Sequence, residues 1–190
     1  MGHFEFIESV IPGCYEIKSF FADDDRGRFV KEYNQEAFAE HGIHDEIKEV
    51  FYSTNKKGVL RGLHFQSEKM QSKLVSCVSG RIWDVVVDLR KESPVFKQWQ
   101  AFELTGSECN QVYVPVGCAH GFLTLEDAVV LYKCGEVFYP EGDGGIAWND
   151  SDIGVEWPVE LVGGEGKLIF SKKDIQLQAF VKFMERSNGL

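Results

Sequence analysis

The sequence lacks the marks of several common functions. It has no excess of positive charge: 20 Lys and Arg stand against 30 Asp and Glu, for a formal charge of −10. A general nucleic-acid binder normally carries a basic face, so no nucleic-acid partner is expected. A small anionic ligand stays possible, because a few Arg and Lys can hold a diphosphate inside an acidic protein. There is also no C-x-x-C pair. The five cysteines, Cys14, Cys77, Cys109, Cys118 and Cys134, are odd in number and widely spaced. That argues against a zinc site and against a disulfide framework, and fits a reducing compartment. No apolar run is long enough for a signal segment or a membrane span. The expected location is therefore cytoplasmic, with no membrane partner. Internal repeats and low-complexity tracts are absent too.

What is present is a packed globular composition. The 190 residues fit one domain, 1–190, with a core over about 11–174 and an extension over 175–190. An apolar fraction of 44% with 15 Phe supports a sizeable interior. Turn signals recur along the chain: Pro12-Gly13, Asp25-Arg26-Gly27, Ser79-Gly80, Ser93-Pro94, Glu126-Asp127 and Gly142 to Gly145. Between them lie short runs rich in Val, Ile, Phe and Tyr, the rhythm of an all-β sandwich or barrel.

The pattern predicts two hairpins. One runs from Lys73 to Leu89 and turns at Ser79-Gly80; the other runs from Gln111 to Lys133 and turns at Glu126-Asp127. Asp84, Val86 and Asp88 share one strand face, so that face borders a polar cavity or solvent. For Asp88 the two readings are equal; for the mid-strand Asp84 the cavity is preferred. Helices are few and short. Asn34 caps one through Glu40, closed by Gly42, and another starts at Ser171 and runs through Phe183.

Two segments carry candidate chemistry. Gly58 to Gln66 crowds Arg61, Gly62 and His64 between apolar residues. A buried His is a natural general base, although a lone strand His is by default a satisfied core residue. Val114 to Phe122 uses a Pro-x-Gly turn to deliver His120 to a strand. Two such segments suit a cupin barrel. Metal-binding cupins usually carry His-x-His in the first segment, and here it reads His64-Phe65-Gln66, so a metal centre is not expected.

The ordered set of motifs resembles the dTDP-4-dehydrorhamnose 3,5-epimerase family of nucleotide-sugar epimerases. It comprises Asp25-Arg26-Gly27, Arg61-Gly62-Leu63-His64, Lys73-Leu74-Val75, Asp84 to Arg90, Ser93-Pro94, Ala119-His120-Gly121-Phe122, Tyr132-Lys133, Gly145 to Asp150, Trp157-Pro158 and Ser171 to Asp174. The resemblance covers about Ile11 to Asp174. It implies a double-stranded β-helix, a cupin-like jelly-roll barrel, in a dimer that exchanges N-terminal strands. It further implies His64 as base in a dyad with Asp174, Tyr132 as the acid on the opposite face, and Lys73 at the enolate oxygen. Arg61, His120, Asp84, Arg26, Lys31 and Gln66 fall at substrate-binding positions. The implied substrate is a nucleotide-diphosphate sugar, and no cofactor is required.

These residue types suit that chemistry. A ketone at C4 acidifies the C–H bonds at C3 and C5 of the sugar. A cation aimed at the C4 oxygen stabilises the enolate as its charge develops. A His held by a carboxylate is fixed in tautomer. Inversion then needs a second acid on the other face. The alternatives are a 3,4-ketoisomerase of the same fold, a non-catalytic sugar-nucleotide-binding cupin and, more distantly, a metal-dependent cupin oxygenase. Asp174 on spacing alone is a helix-capping acid, Tyr132 a strand aromatic and Lys73 a strand-edge charge.

The chain departs from the family where nucleotide is handled. Glu49 and Phe51 replace a common Gln-x-Asn pair, Lys31 replaces a Glu, and Val137-Phe138 replaces a Tyr pair. Ammonium in place of carboxylate turns an acceptor into a donor. The carrier is thus expected to be dTDP, CDP, GDP or UDP. The tail from Ile175 to Leu190 covers the barrel mouth, packs on a partner, or lies on the outside of its own barrel.

Overall fold

The computed structural model describes residues 3–187 and 189–190. Its elements in chain order are β1 (Glu5–Glu8), β2 (Tyr15–Lys18), β3 (Phe20–Asp24), β4 (Gly27–Lys31), α1 (Gln35–Ala39), β5 (Glu49–Asn55), β6 (Leu60–Gln66) and β7 (Lys73–Asp88). There follow β8 (Trp99–Thr105), β9 (Asn110–Val114), β10 (Cys118–Cys134), β11 (Asp143–Gly145), two 3-10 turns (Val159–Val162 and Glu165–Lys167), α2 (Lys172–Ile175) and α3 (Phe180–Ser187).

Two long strands organise the barrel. β7 and β10 pair antiparallel along nearly their whole lengths, from Cys118↔Asp88 to Cys134↔Lys73. The first half of β7 also pairs with β9, and the second half with β8. β10 does the same with β6 on its first half and β5 on its second. One sheet therefore folds over into the two faces of a cupin-like jelly roll, β1-β2-β9-β7-β10-β5 and β8-β7-β10-β6-β11.

The two predicted hairpins are corrected by this arrangement. Each is a single bent strand. The bend falls at the predicted turns, where the β7–β10 register shifts around Glu126 and Val129. Gly80 sits there with φ of 81°, and a Cβ would meet the Asp127 carbonyl at 2.1 Å. The glycine thus serves a bulged crossing of two strands, not a reversal.

Both faces of these strands are buried, which explains their apolar runs. Val75, Val86, Val112, Phe122 and Val130 pack inside the barrel. Val85, Val87, Leu89, Leu123 and Ile146 face a second core with Trp157, Phe180 and Phe183. Asp88, read as cavity-facing or solvated, is instead fully buried in an ion pair with Arg90 at 2.6 Å and accepts from Ser93 Oγ.

The C-terminal helix is also corrected. α2 ends at Ile175, and α3 begins at Phe180. Between them the Gln178 carbonyl accepts from the Ala147 N–H, beside a bridge to Ile146, so this stretch joins the sheet. α3 lies on the outside of its own barrel through Phe180 and Phe183. Asn34 caps α1 as predicted, accepting from the Ala37 N–H.

The tightest backbone contact joins β6 to β10. Gly62 has φ of 125°, and a Cβ on it would lie 2.6 Å from Gly121 Cα. A Cβ on Gly121 would lie 2.7 Å from the Arg61 carbonyl. Gly62→Ala is expected to destabilise by about 2–5 kcal/mol, from left-handed strain plus overpacking. Gly42→Ala, at φ of 76° with open space around it, carries the strain alone. Thermal unfolding checks this: a larger Tm loss for Gly62→Ala than for Gly42→Ala is expected, and equal losses contradict the contact.

Candidate active site

Side chains from β5, β6, β7, β10 and α2 converge on one cavity of about 420 Å3. Its lining includes Arg61, His64, Gln66, Lys73, His120, Tyr132 and Asp174, all selected from the sequence. It also includes Ser53, Gln71, Asp143 and Lys173, which were not selected.

His64 reaches it from β6. The Gly62–Gly121 contact brings β6 against β10 so that His64 and His120 are direct register partners. His64 Nε2 lies 2.6 Å from Asp174 Oδ1. With the carboxylate accepting at Nε2, Nδ1 is the nitrogen left to act as base.

Asp174 is both the capping acid and the histidine's partner. Its Oδ2 accepts from Ser171 Oγ at 2.5 Å and from the Ser171 N–H, while Ser171 Oγ accepts from the Asp174 N–H. Its Oδ1 also accepts from the Gly62 N–H at 3.2 Å. Burial alone would raise this carboxyl pKa. The bonds from His64, Ser171 and Gly62 outweigh that and hold it well below the usual carboxylate range.

A second histidine–carboxylate pair lies deeper. His120 Nε2 is 2.7 Å from Asp84 Oδ2, and both side chains are buried. Asp84 stands behind the imidazole, outside the cavity lining, so its selection as a substrate contact is corrected: it reaches the cavity only through His120. Its Oδ1 has no partner among the described residues.

Lys73 opens β7 and makes no ion pair among the described residues; burial pushes its ammonium pKa down. Burial pushes the Tyr132 phenol far above its ordinary value, so it keeps its proton at neutral pH. The Tyr132 ring stacks on Phe51 at 4.8 Å and meets His120 edge-on at 6.1 Å. The Arg61 Nε donates to Asn55 Oδ1 at 2.8 Å, and Asn55 donates to Ser53. That chain aims the guanidinium from β5.

Three selected residues do other things. The Gln66 amide is engaged by backbone: it donates to the Lys69 carbonyl and accepts from the Tyr139 N–H. It pins two loops beside the cavity. Arg26 and Lys31 lie on the β3–β4 hairpin, a separate two-stranded sheet, and neither lines the cavity. Arg26 pairs with Asp24 instead. Among the unselected residues, Lys173 pairs with Asp143 across the rim. Its signal in the sequence was adjacency to Asp174; Ser53 is two residues beyond Phe51 on one strand face. Among the described residues, no group of three His, Cys, Asp or Glu gathers as a metal site would need.

A barrel that gathers a held imidazole, a phenol and an unpaired ammonium around one cavity is equipped to move protons at carbon. It is an isomerase of the cupin-like type. Residues 8–182 match the family model described as dTDP-4-dehydrorhamnose 3,5-epimerase. A relative of that name from Methanothermobacter thermautotrophicus is 43% identical over 175 residues, covering 92% of this chain and 93% of the relative. One from Escherichia coli is 44% identical over 158 residues, covering 81% and 82%. The Mycobacterium tuberculosis rmlC epimerase structure superposes with a TM-score of 0.90 at 35% identity, covering 97% and 92%. A Legionella pneumophila epimerase in complex with dTDP-4-keto-L-rhamnose gives 0.87 at 35% identity, covering 93% of each chain. This chain belongs to the dTDP-4-dehydrorhamnose 3,5-epimerase family.

The depressed Asp174 pKa has a signed consequence. Its contribution to stability is present above the unfolded value near pH 4 and is lost as pH falls toward the lower folded value. Asp174→Asn is expected to lose on the order of 2 kcal/mol at neutral pH. The Tm gap from the native protein should be full at pH 7 and shrink below about pH 4. Calorimetry across that range checks it; a constant gap contradicts the assignment.

Proposed function

We propose that the protein epimerises C3, C5 or both of a nucleotide-linked 4-keto-6-deoxy sugar, in deoxysugar biosynthesis. The observation that carries the reading is the His64–Asp174 pair at 2.6 Å, opening on the same cavity as Lys73 and Tyr132. His64 Nδ1 takes the proton from the carbon next to the ketone. The electron pair moves into an enolate whose oxygen is met by Lys73. The buried, protonated Tyr132 returns a proton from the other side. The family's substrate class, the relatives' names and the ligand in the Legionella structure support this reading.

Arg61 and His120 are the proposed substrate contacts of this copy. Arg26 and Lys31 fit a second role. Their hairpin leaves Phe21 and Phe29 exposed, as a segment would that docks on a second copy. We therefore propose a homodimer in which each hairpin serves the partner's cavity. The whole chain, 1–190, acts as one domain. Five free, buried cysteines support a cytoplasmic location. Among the described residues no helix is long and apolar enough to cross a membrane.

The test is exchange in D2O, followed by NMR at C3 and C5, with dTDP- and CDP-4-keto-6-deoxyglucose in parallel. Two carriers are needed because Lys31 would not read a base N–H as a Glu does. Inversion with deuterium uptake is expected. His64→Ala should lower it by about 10²–10⁴-fold, and Lys73→Met by about 10²–10³-fold. Carbonyl migration to C3 would instead identify a ketoisomerase. Sedimentation checks the dimer: twice the monomer mass is expected for the native chain, and a monomer for a variant lacking the hairpin. Native protein at monomer mass rejects it.

A further inference from the structure

Phe51 lines the cavity and has a structural role of its own. Phe51 and Tyr132 are direct register partners across β5 and β10. Their rings are nearly parallel, 16° apart, at 4.8 Å. His120 meets the Tyr132 ring edge-on, 83° from its plane. The phenol is thus bounded on one face by Phe51 and flanked by an imidazole that Asp84 holds. β5 is itself tied on either side of Phe51. Glu49 accepts from the Phe138 N–H at 3.1 Å, and Asn55 accepts from Arg61. Glu49, Phe51 and Ser53 share one strand face, so the strand that carries Phe51 is anchored where it meets the cavity. Yet Phe51 remains 45% exposed, far more than a ring kept for core packing.

We propose that Phe51 is a positioning residue for Tyr132, its stacked ring holding the phenol hydroxyl on the line by which a proton returns to the sugar. This rests on the epimerase reading given above. The consequence separates two halves of the reaction. Removal of the C–H proton by His64 does not involve Phe51. If His64 hands the proton back on the same face, the carbon exchanges its hydrogen without inverting. If Tyr132 donates, the carbon inverts, and solvent then reprotonates the phenolate and deprotonates the imidazolium, so protons balance.

The experiment compares deuterium uptake with inversion at the same carbon in D2O for the native protein, Phe51→Ala and Phe51→Trp. In Phe51→Ala, the ratio of inversion to uptake should fall about 10-fold or more, the scale of a misplaced reacting group. Phe51→Trp, which keeps a stacking ring, should restore inversion. If uptake and inversion fall in proportion, or only KM rises, Phe51 is a wall of the binding site and the proposal is overturned. A second readout needs no substrate. In protein carrying ¹³C-tyrosine, the Tyr132 ring signal, assigned with Tyr132→Phe, should change line shape in Phe51→Ala and keep the native one in Phe51→Trp. An unchanged line shape in Phe51→Ala overturns the clamp. Native protein without any uptake, together with a changed line shape, overturns the epimerase reading and leaves the clamp standing.

Discussion

The close approach of Gly62 to Gly121 is the constraint on which the site depends. Two strands of a sheet normally stand far enough apart for a Cβ on every residue. Here they do not, and both positions are glycine. The contact sits where the β6–β10 register shifts between His120 and Phe122. It delivers two histidines to the cavity as neighbours, each with its own carboxylate. It also frees the Gly62 N–H to donate out of the ladder, to Asp174. The glycines in Arg-Gly-Leu-His and Ala-His-Gly-Phe are therefore one feature seen from two strands.

Asp174 then ties the end of the chain to that contact. A capping box normally satisfies only its own helix. In α2 the capping carboxylate also accepts from His64 and Gly62, 110 and 112 residues away. Its second oxygen serves the helix, and its first serves the site. The helix start and His64 thus share one geometry, so the few residues of α2 do more than end the barrel. The next stretch leaves the helix to bridge Ile146 and places Phe180 and Phe183 against the outer core.

The reading from sequence succeeded where local chemistry had one solution. Strand alternation put Asp84, Val86 and Asp88 on one face of β7, and in the structure Val86 packs in one core while Val85, Val87 and Leu89 pack in the other. The Ser171–Asp174 cap and the Asn34 cap are local hydrogen bonds, and both are present. It failed where two structures share one local signal. A glycine beside polar residues marks a hairpin turn or a bulged bend, and only the partner strand decides. That is why Ser79-Gly80 and Glu126-Asp127 were misread. The motif match selected seven residues of the cavity lining. It did not distinguish Gln66, which faces the cavity while bonding to loops. Nor did it reveal that Asp84 works through His120. Gln71 and Asp143 carried no sign of their own, and Lys173 and Ser53 only their places beside Asp174 and Phe51, because each joins the site through the folding of the chain.

The cavity's electrostatics follow from burial more than from net charge. The chain is strongly acidic, yet Arg61, Lys73 and Lys173 all line this one space. Burial acts on two titrating groups of the cavity, Tyr132 and Lys73, in opposite directions. It raises the phenol of Tyr132, which keeps that acid protonated, and lowers the ammonium of Lys73. A cation that is held cheaply in water needs no ligand; one that is desolvated and unpaired gains most when negative charge appears beside it. An enolate oxygen would supply that charge only as the C–H bond breaks. In the proposed reaction Lys73 would therefore interact more strongly with the reacting species than with the neutral ketone, which is the condition for speeding a reaction instead of merely binding its substrate.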